Sequence, residues 1–470
     1  MRVAAIDQGT TSTRLLLADT AGDLRIAHVA RHTPRYSQPG WVEHDPMELL
    51  GNVAACVAAA GAVDAIGIDN QGESCLAWDA ATGAPLSPVI VWQDNRTKDV
   101  IERLRSDGAE GETLARAGLP LDPYFSASKL AWIVQTLPDA RAALAAGRLR
   151  LGTTDAFFLD RLTGCFVTDA TTASRTSLMN LETGEWDEEL CRLFGVPLEA
   201  LPAIGPSAAA VIGAVGKTPV TASLVDQQAA LYGHGCRASG DAKITFGTGA
   251  FALAVTGSAI VRAPEIGLLS TVAWRTPEET VYAVDGGVYD AGATIEWLGR
   301  IGLLGSVDEL RDFAAGPAIE RGVVFVPALS GLACPYWDRS AAGLWLGMST
   351  DTSREDMCQA AVEGIALRTS EVIAAIQTRL PLAAKLSVDG GLTRSPYFSQ
   401  FLADVSGYEI KSRRFDELTA FGCAGLAALA LGATLPTPAE SGATLLPRNV
   451  NRADWRSRFA DATRRARGWR

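Results

Sequence analysis

One local pattern restricts the fold of this chain more than any other, because it occurs twice. Arg2-Val3-Ala4-Ala5-Ile6 reads as a strand, Asp7-Gln8-Gly9-Thr10-Thr11-Ser12 as a polar turn, and Leu15-Leu16-Leu17-Ala18 as a returning strand. About 235 residues later the arrangement recurs: Lys243-Ile244-Thr245-Phe246, then Gly247-Thr248-Gly249, then an apolar run over 250–255. Recurrence of a strand, a Gly/Thr turn and a strand predicts two domains of related fold. The length agrees, since 470 residues exceed what one hydrophobic core organises. Down to about residue 235, helical stretches alternate with short strands, which is the pattern of an α/β fold. An Ala-rich helix over 46–60 precedes a buried strand over 65–69 and the polar loop Asn70-Gln71-Gly72-Glu73-Ser74. The short Gly-rich segment 233–240 marks the boundary, giving domains of residues 1–237 and 238–470.

Composition removes several classes of function. The net charge of −11 argues against a nucleic-acid or anionic-membrane surface. It leaves room for a small anionic ligand, because backbone N–H groups hold phosphates without a basic surface. No apolar run is long enough to span a bilayer, and the N-terminus enters a strand directly, without a secretory signal. The eight cysteines form no C-x-x-C pair and read as small buried hydrophobes in a reducing, cytoplasmic compartment. The four histidines have no metal-ligand spacing. The charged segment 452–470 reads most simply as a solvated helix face.

The two turns are candidates for chemistry. Small residues and hydroxyls in a tight turn let several donors converge on phosphate oxygens. Asp7, at a strand end, is placed to hold Mg²⁺ through water, and Arg14 follows within reach. Taken alone, each turn is equally well an ordinary hairpin turn. Asp226 follows the apolar run ending in Leu224-Val225. It could accept a proton from a substrate hydroxyl, or simply cap a helix. The segment GAVGKT at 213–218 looks like a phosphate-binding P-loop but has two residues between its glycines where the motif needs four, so it reads as a turn.

Read together, several segments resemble the FGGY carbohydrate kinases, and within them the glycerol kinases. They include AIDQGTTSTR at 5–14, PGWVEHDPME at 39–48, VWQDNRT at 91–97, DPYFSASK at 122–129 and DAFFLDRLTG at 155–164. TDATTASRT at 168–176, VDQQAAL at 225–231, TFGTGAF at 245–251, AGATIEWL at 291–298, PYWD at 335–338 and VDGG at 388–391 continue the series. One family signature fits through Tyr124, Ser126, Lys129 and Trp132, and another through Gly343, Gly347, Asp356, Ala360 and Glu363. The resemblance implies two ribonuclease-H-like domains of the actin and hexokinase type with the active site in the cleft between them. It implies ATP and Mg²⁺, with Asp226 as general base and Asp7 near the metal. Thr10, Thr11, Ser12 and Arg14 would form the first phosphate loop, and Gly247 and Thr248 the second. Gly292, Glu296, Gly391 and Ser395 match nucleotide contacts, with Glu296 standing for a common Gln and Ser395 for a frequent Asn. Glu73, Trp92, Tyr124, Asp226, Gln227 and Phe251 match polyol contacts.

The chain departs from the resembling family in two places. Glycerol kinases carry an NQRE loop, and here Gly72 replaces its Arg. The loss removes five donors and opens space, which suggests a tetritol or ketopentose in place of glycerol; glycerol with water in the gap is the alternative. Residues 213–219 look shortened and lack the Arg of the loop that binds a sugar bisphosphate inhibitor, so no such inhibition is expected. A polyol-binding or regulatory protein with weak catalysis and an actin-like phosphohydrolase are the competing readings. Substrate-dependent ADP release separates all three. The resemblance also allows a homodimer or homotetramer.

Overall fold

The computed structural model describes residues 1–413, 415–438 and 442–470. Two mixed sheets dominate it. The first has six strands: β1 (Arg2–Gln8), β2 (Ser12–Asp19), β3 (Leu24–Arg31), β4 (Ala65–Asn70), β5 (Ala208–Val215) and β6 (Thr218–Val225), in the order β5-β6-β4-β1-β2-β3. The second has seven: β7 (Ala242–Phe246), β8 (Ala250–Gly257), β9 (Leu269–Arg275), β10 (Thr280–Val288), β11 (Lys385–Gly390), β12 (Glu409–Ser412) and β13 (Thr444–Leu445), in the order β9-β10-β8-β7-β11-β12-β13.

Each sheet is built outward from one of the two hairpins. β1 pairs antiparallel with β2, and β7 with β8. On one side each hairpin gains a further antiparallel strand, β3 or β10. On the other it gains two parallel strands, β4 and β6 or β11 and β12. The repeat seen in the sequence is therefore a repeat of a five-stranded core. Parallel pairing also brings carboxyl ends into line. Gln8 pairs with Asn70, and Asn70 with Val225, so β1, β4 and β6 end together. Ligand sites of open α/β sheets form at such ends.

The helix Pro46–Ala60 starts at a true cap, with the Asp45 carboxylate accepting from the N–H groups of Met47 and Glu48. It buries Leu49, Val53, Cys56 and Ala60 against the first sheet. The opposite face of that sheet is covered by the helix Leu418–Leu429, which comes from the second half of the chain. There Ala420, Cys423, Ala424 and Ala427 join Val3, Ala5 and Ala65 in one core. Small residues allow the close approach: a Cβ on Gly422 would stand 1.8 Å from the carbonyl of Ala229 in the helix Asp226–Gly233.

The segment 213–218 is the tip of a hairpin, with Val215 paired to Thr218 across a two-residue turn. The segment 452–470 corrects the sequence reading. Its helix, Arg452–Ala466, is amphipathic, and Trp455, Phe459, Ala462 and Ala466 enter the core. Trp455 stacks on Phe401 at 5.1 Å. The many arginines hid that apolar stripe. The division at residues 237 and 238 falls between the helix Asp226–Gly233 and β7. Among the described residues no helix is long and apolar enough to cross a membrane.

Candidate active site

The aligned ends of β1, β4 and β6 open into a cavity of about 180 Å³. Glu73, Trp92, Tyr124, Asp226, Gln227 and Phe251 all line it, so the six residues matched to polyol contacts converge, with Gly72 beside them. Thr10 of the first turn reaches the same cavity. Its hydroxyl accepts from the Trp92 indole at 3.2 Å, and its carbonyl lies 2.9 Å from His32 Nε2. Trp92 and Tyr124 meet edge to face at 5.6 Å.

Local structure explains how these groups are held. Asp226 is the first residue of the helix Asp226–Gly233, and its Oδ1 accepts from the Gln227 N–H at 2.7 Å. Burial pushes its carboxyl up to about 7, and the nearby charges of Asp7 and Glu73 add to the shift. Gln227 accepts at Oε1 from the buried Lys243 ammonium, which also donates to Thr245. Glu73 sits at φ 58°, an uncommon backbone for a non-glycine residue and a mark of an over-determined loop. Ser126 donates to the Glu73 carbonyl at 3.0 Å, and Lys129 to the Tyr124 carbonyl at 2.8 Å. The signature through Ser126 and Lys129 is thus a brace behind the cavity wall.

Three site residues escaped the sequence reading. Arg175 lines the cavity, and its Nε donates to Glu73 Oε1 at 2.6 Å. Asp285 stands 3.3 Å from Arg175 Nη1. Although burial opposes its charge, Glu73 and Asp285 hold Arg175 above its ordinary pKa. Glu73 therefore has a guanidinium partner without an Arg at position 72. The space beside Gly72 is also narrower than the sequence suggests, because a Cβ there would lie 3.0 Å from Val225 Cγ1. The third residue is Asp69, paired with Asp7 across the parallel strands β4 and β1. It is fully buried, with the Asp7 carboxyl and the Cys423 thiol beside its own carboxyl. Burial, then the charge of Asp7, drives its pKa well above the usual range. Burial likewise pushes Asp7 up to about 6.

A second cavity, of about 570 Å³, opens beside the second turn. Gly247, Thr248, Gly292, Glu296, Gly391 and Ser395 line it, so the six matched nucleotide positions also come together. Ile295, Val307, Leu310 and Leu392 give it an apolar wall suited to a base. The turn is pinned to the start of the helix Gly292–Arg300, with the Gly292 N–H donating to the Gly247 carbonyl at 2.9 Å. A Cβ on Gly292 would stand 2.5 Å from that carbonyl oxygen. Ser395 Oγ is engaged, donating to the Leu310 carbonyl and capping the helix Pro396–Ser406. Of the first-loop residues, Thr11 is exposed in the turn, Ser12 begins β2, and Arg14 pairs with Glu417 at 2.9 Å. These three line neither cavity.

Twin α/β cores, with the first hairpin turn reaching one cavity through Thr10 and the second reaching the other through Gly247 and Thr248, have the architecture of the actin and hexokinase class of ATP-dependent enzymes. Residues 2–233 match the N-terminal domain of the FGGY family of carbohydrate kinases, and residues 242–431 match its C-terminal domain. The chain belongs to that family. It is 41% identical to the glycerol kinase of Alkalilimnicola ehrlichii over 99% of this chain and 98% of the relative. It is equally identical, with the same coverage, to that of Thermus brockianus. A crystal structure of Plasmodium falciparum glycerol kinase with ADP superposes with TM-score 0.90 at 29% identity, covering 99% of this chain and 98% of that one. The xylulose kinase of Rhodospirillum rubrum shares the fold, with TM-score 0.85 at 24% identity over 98% and 97% of the two chains.

Proposed function

We propose that this protein transfers the γ-phosphoryl group of ATP to a terminal hydroxyl of a small polyol, as the glycerol kinases it is similar to are named for doing. The observation that carries this reading is the cavity in which Asp226 meets Glu73, Trp92, Tyr124, Gln227 and Phe251. The polar groups suit hydroxyls, and the aromatic faces suit a carbon chain. Asp226 takes the proton of the attacking hydroxyl. The oxygen forms its bond to the γ-phosphorus as the bond to the β-phosphate oxygen breaks, and ADP leaves. Little covalent help is needed; alignment and charge neutralisation do most of the catalysis. The nucleotide base lies in the larger cavity, with its phosphates between the turns at Thr10 and Gly247-Thr248.

Mg²⁺ fits the chain at the carboxyl ends of β1, β4 and β6. Asp69 and Asp7 bring two buried carboxyl groups together, and Asp226 lies within electrostatic reach of both, a concentration of negative charge that a divalent cation relieves. Asp7 would hold the ion, through water, with Asp69 behind it and Asp226 left free to take the proton. When bound, the ion neutralises charge on the β- and γ-phosphate oxygens. The cytoplasm, where ATP is supplied and the eight free cysteines stay reduced, is the proposed site of action.

The test is ADP release with MgATP across a panel of glycerol, tetritols, pentitols and ketopentoses, with a no-substrate control. Stimulation by a polyol that disappears in Asp226→Asn is the expected result. ADP release that no panel compound stimulates would favour a phosphohydrolase, and ATP binding without turnover a regulatory protein.

A further inference from the structure

A smaller chamber, of about 60 Å³, lies behind the polyol cavity. The two share Tyr124, Arg175, Phe251 and Asp285 as a common wall. Beyond that wall the lining is largely aromatic and aliphatic, with Phe125, Leu269, Tyr289 and Trp337. Its charged lining residues away from the wall already have partners, since Arg339 pairs with Asp122 at 3.1 Å and covers the Tyr289 ring at 4.1 Å. The wall itself is not satisfied. Arg175 Nη1 has only the 3.3 Å ion pair to Asp285 Oδ2, and Asp285 Oδ1 is buried without a hydrogen-bond partner. Such groups weaken a fold unless something completes them. A donor beside an acceptor is what a hydroxyl completes, because a hydroxyl both gives and takes a hydrogen bond.

Size restricts the occupant. The chamber is about 60 Å³ against about 180 Å³ for the polyol cavity, so it extends the site by about a third, which suits a three-carbon polyol lengthened by one CH–OH unit. We propose that the substrate site continues past Arg175 and Asp285 into this chamber, and that its preferred substrate is a linear polyol one carbon longer than glycerol, a tetritol. The distal hydroxyl meets Arg175 and Asp285 while the terminal hydroxyl at the other end faces Asp226. The carbon chain runs along Phe251, which lines both spaces. This inference rests on the kinase reading above and adds to it the length of the substrate.

Gly287 offers a test with little structural disturbance. It lines the chamber, and a Cβ there would meet the Phe251 ring at 3.4 Å, an ordinary contact. Gly287→Ala therefore narrows the chamber by one methyl group. Asp285→Asn keeps the size of the wall and removes its charge. The measurement is kcat/KM for erythritol, threitol and glycerol in the parent protein and both variants. A tetritol preferred over glycerol at least tenfold, falling about tenfold or more in each variant, is the result expected from the discrimination one methylene provides. Glycerol turned over as well as either tetritol, or a preference that neither variant moves, overturns the longer site and leaves the kinase standing. Absence of turnover with all three polyols, while a pentitol or ketopentose is phosphorylated, overturns this inference and leaves the kinase standing; absence of turnover across the whole panel, while the protein still binds ATP, overturns both.

Discussion

Val225 Cγ1 lies 3.0 Å from the point where a Cβ on Gly72 would sit. The two residues close one corner of the polyol cavity between them. Adding a side chain at position 72 therefore has two costs. The Cβ presses on Val225, and a long cation would share the cavity with Arg175. Gly72→Arg is expected to lower kcat/KM for the best substrate by about tenfold or more, in line with overpacking penalties of ~1–3 kcal/mol. Val225→Ala in the same chain should recover part of that loss. Steady-state kinetics on the single and double variants checks this, and a Gly72→Arg enzyme that matches the parent contradicts it.

The Asp226 carboxyl, held near 7 by burial and by the charges of Asp7 and Glu73, sets a pH dependence. A general base works in its charged form, so activity is lost as pH falls through its pKa. At saturating MgATP, kcat/KM for the polyol should rise with pH on the acid side and then level off, with its midpoint at or below 7 because the cation's charge favours the ionised carboxyl. Asp226→Asn should lower kcat by about 10²–10⁴-fold and erase that limb. A flat profile in the parent protein between pH 5 and 8 would show that Asp226 is not the titrating base.

Much of this site was legible in the sequence because it is built from short contiguous pieces. The two hairpin turns, the loop at 70–74 and Asp226 are each ambiguous alone, but each lies within about a dozen residues, so the joint order of such pieces along the chain makes them readable. What was not legible is set by contacts between distant segments. Arg175 reaches Glu73 across 102 residues of chain, and Asp285 comes from another strand again. Asp69 ends an apolar strand and reads there as an ordinary strand terminus; only the register with β1 puts it beside Asp7. Conversely, some quoted signature residues are structural. Asp356 completes a capping box with Ser353. Glu363 accepts from the N–H groups of Ala318 and Ile319 at 2.8 and 3.0 Å, tying the loop before Val324–Val326 to the long helix Arg354–Gln377. They match the family pattern without touching either cavity.

The carboxylates at the ends of β1, β4 and β6 predict a coupling between metal and stability. Burial raises Asp7 to about 6 and Asp226 to about 7, above their ordinary value of about 3.8. A carboxyl raised in the fold binds its proton more tightly there than in the unfolded chain. The metal-free protein therefore loses stability as pH rises from about 4 through 7. A divalent cation offsets that loss by favouring the charged forms. Thermal melts should show a larger Mg²⁺-induced rise in Tm at pH 8 than at pH 5. Asp7→Asn should weaken Mn²⁺ binding, read by calorimetry or electron paramagnetic resonance, by about tenfold or more. Asp69→Asn should weaken it less. A Tm that Mg²⁺ leaves unchanged at both pH values would contradict the assignment of the metal to these strand ends.

The crossing of the helices Asp226–Gly233 and Leu418–Leu429 links the packing of the two halves to catalysis. A Cβ on Gly422 would lie 1.8 Å from the Ala229 carbonyl oxygen and 2.6 Å from the Gly233 nitrogen. Both are helix backbone atoms, so neither moves aside alone. Gly422→Ala must displace the whole helix that carries Asp226 at its first position. Overpacking of this kind destabilises by about 1–3 kcal/mol. A displacement of ~1 Å at the reacting groups can cost about 10²-fold in rate. The expected outcome is a lower midpoint in urea together with a kcat reduced at least tenfold in the fraction that remains folded. Gly51→Ala is the control, since nothing stands within 4 Å of a Cβ there and the residue lies in the helix Pro46–Ala60. That change should stabilise by about 0.5–1 kcal/mol through helix propensity and leave kcat as it was. If Gly422→Ala melts and turns over like the parent protein, the crossing is looser than its geometry implies, and the position of Asp226 does not depend on it.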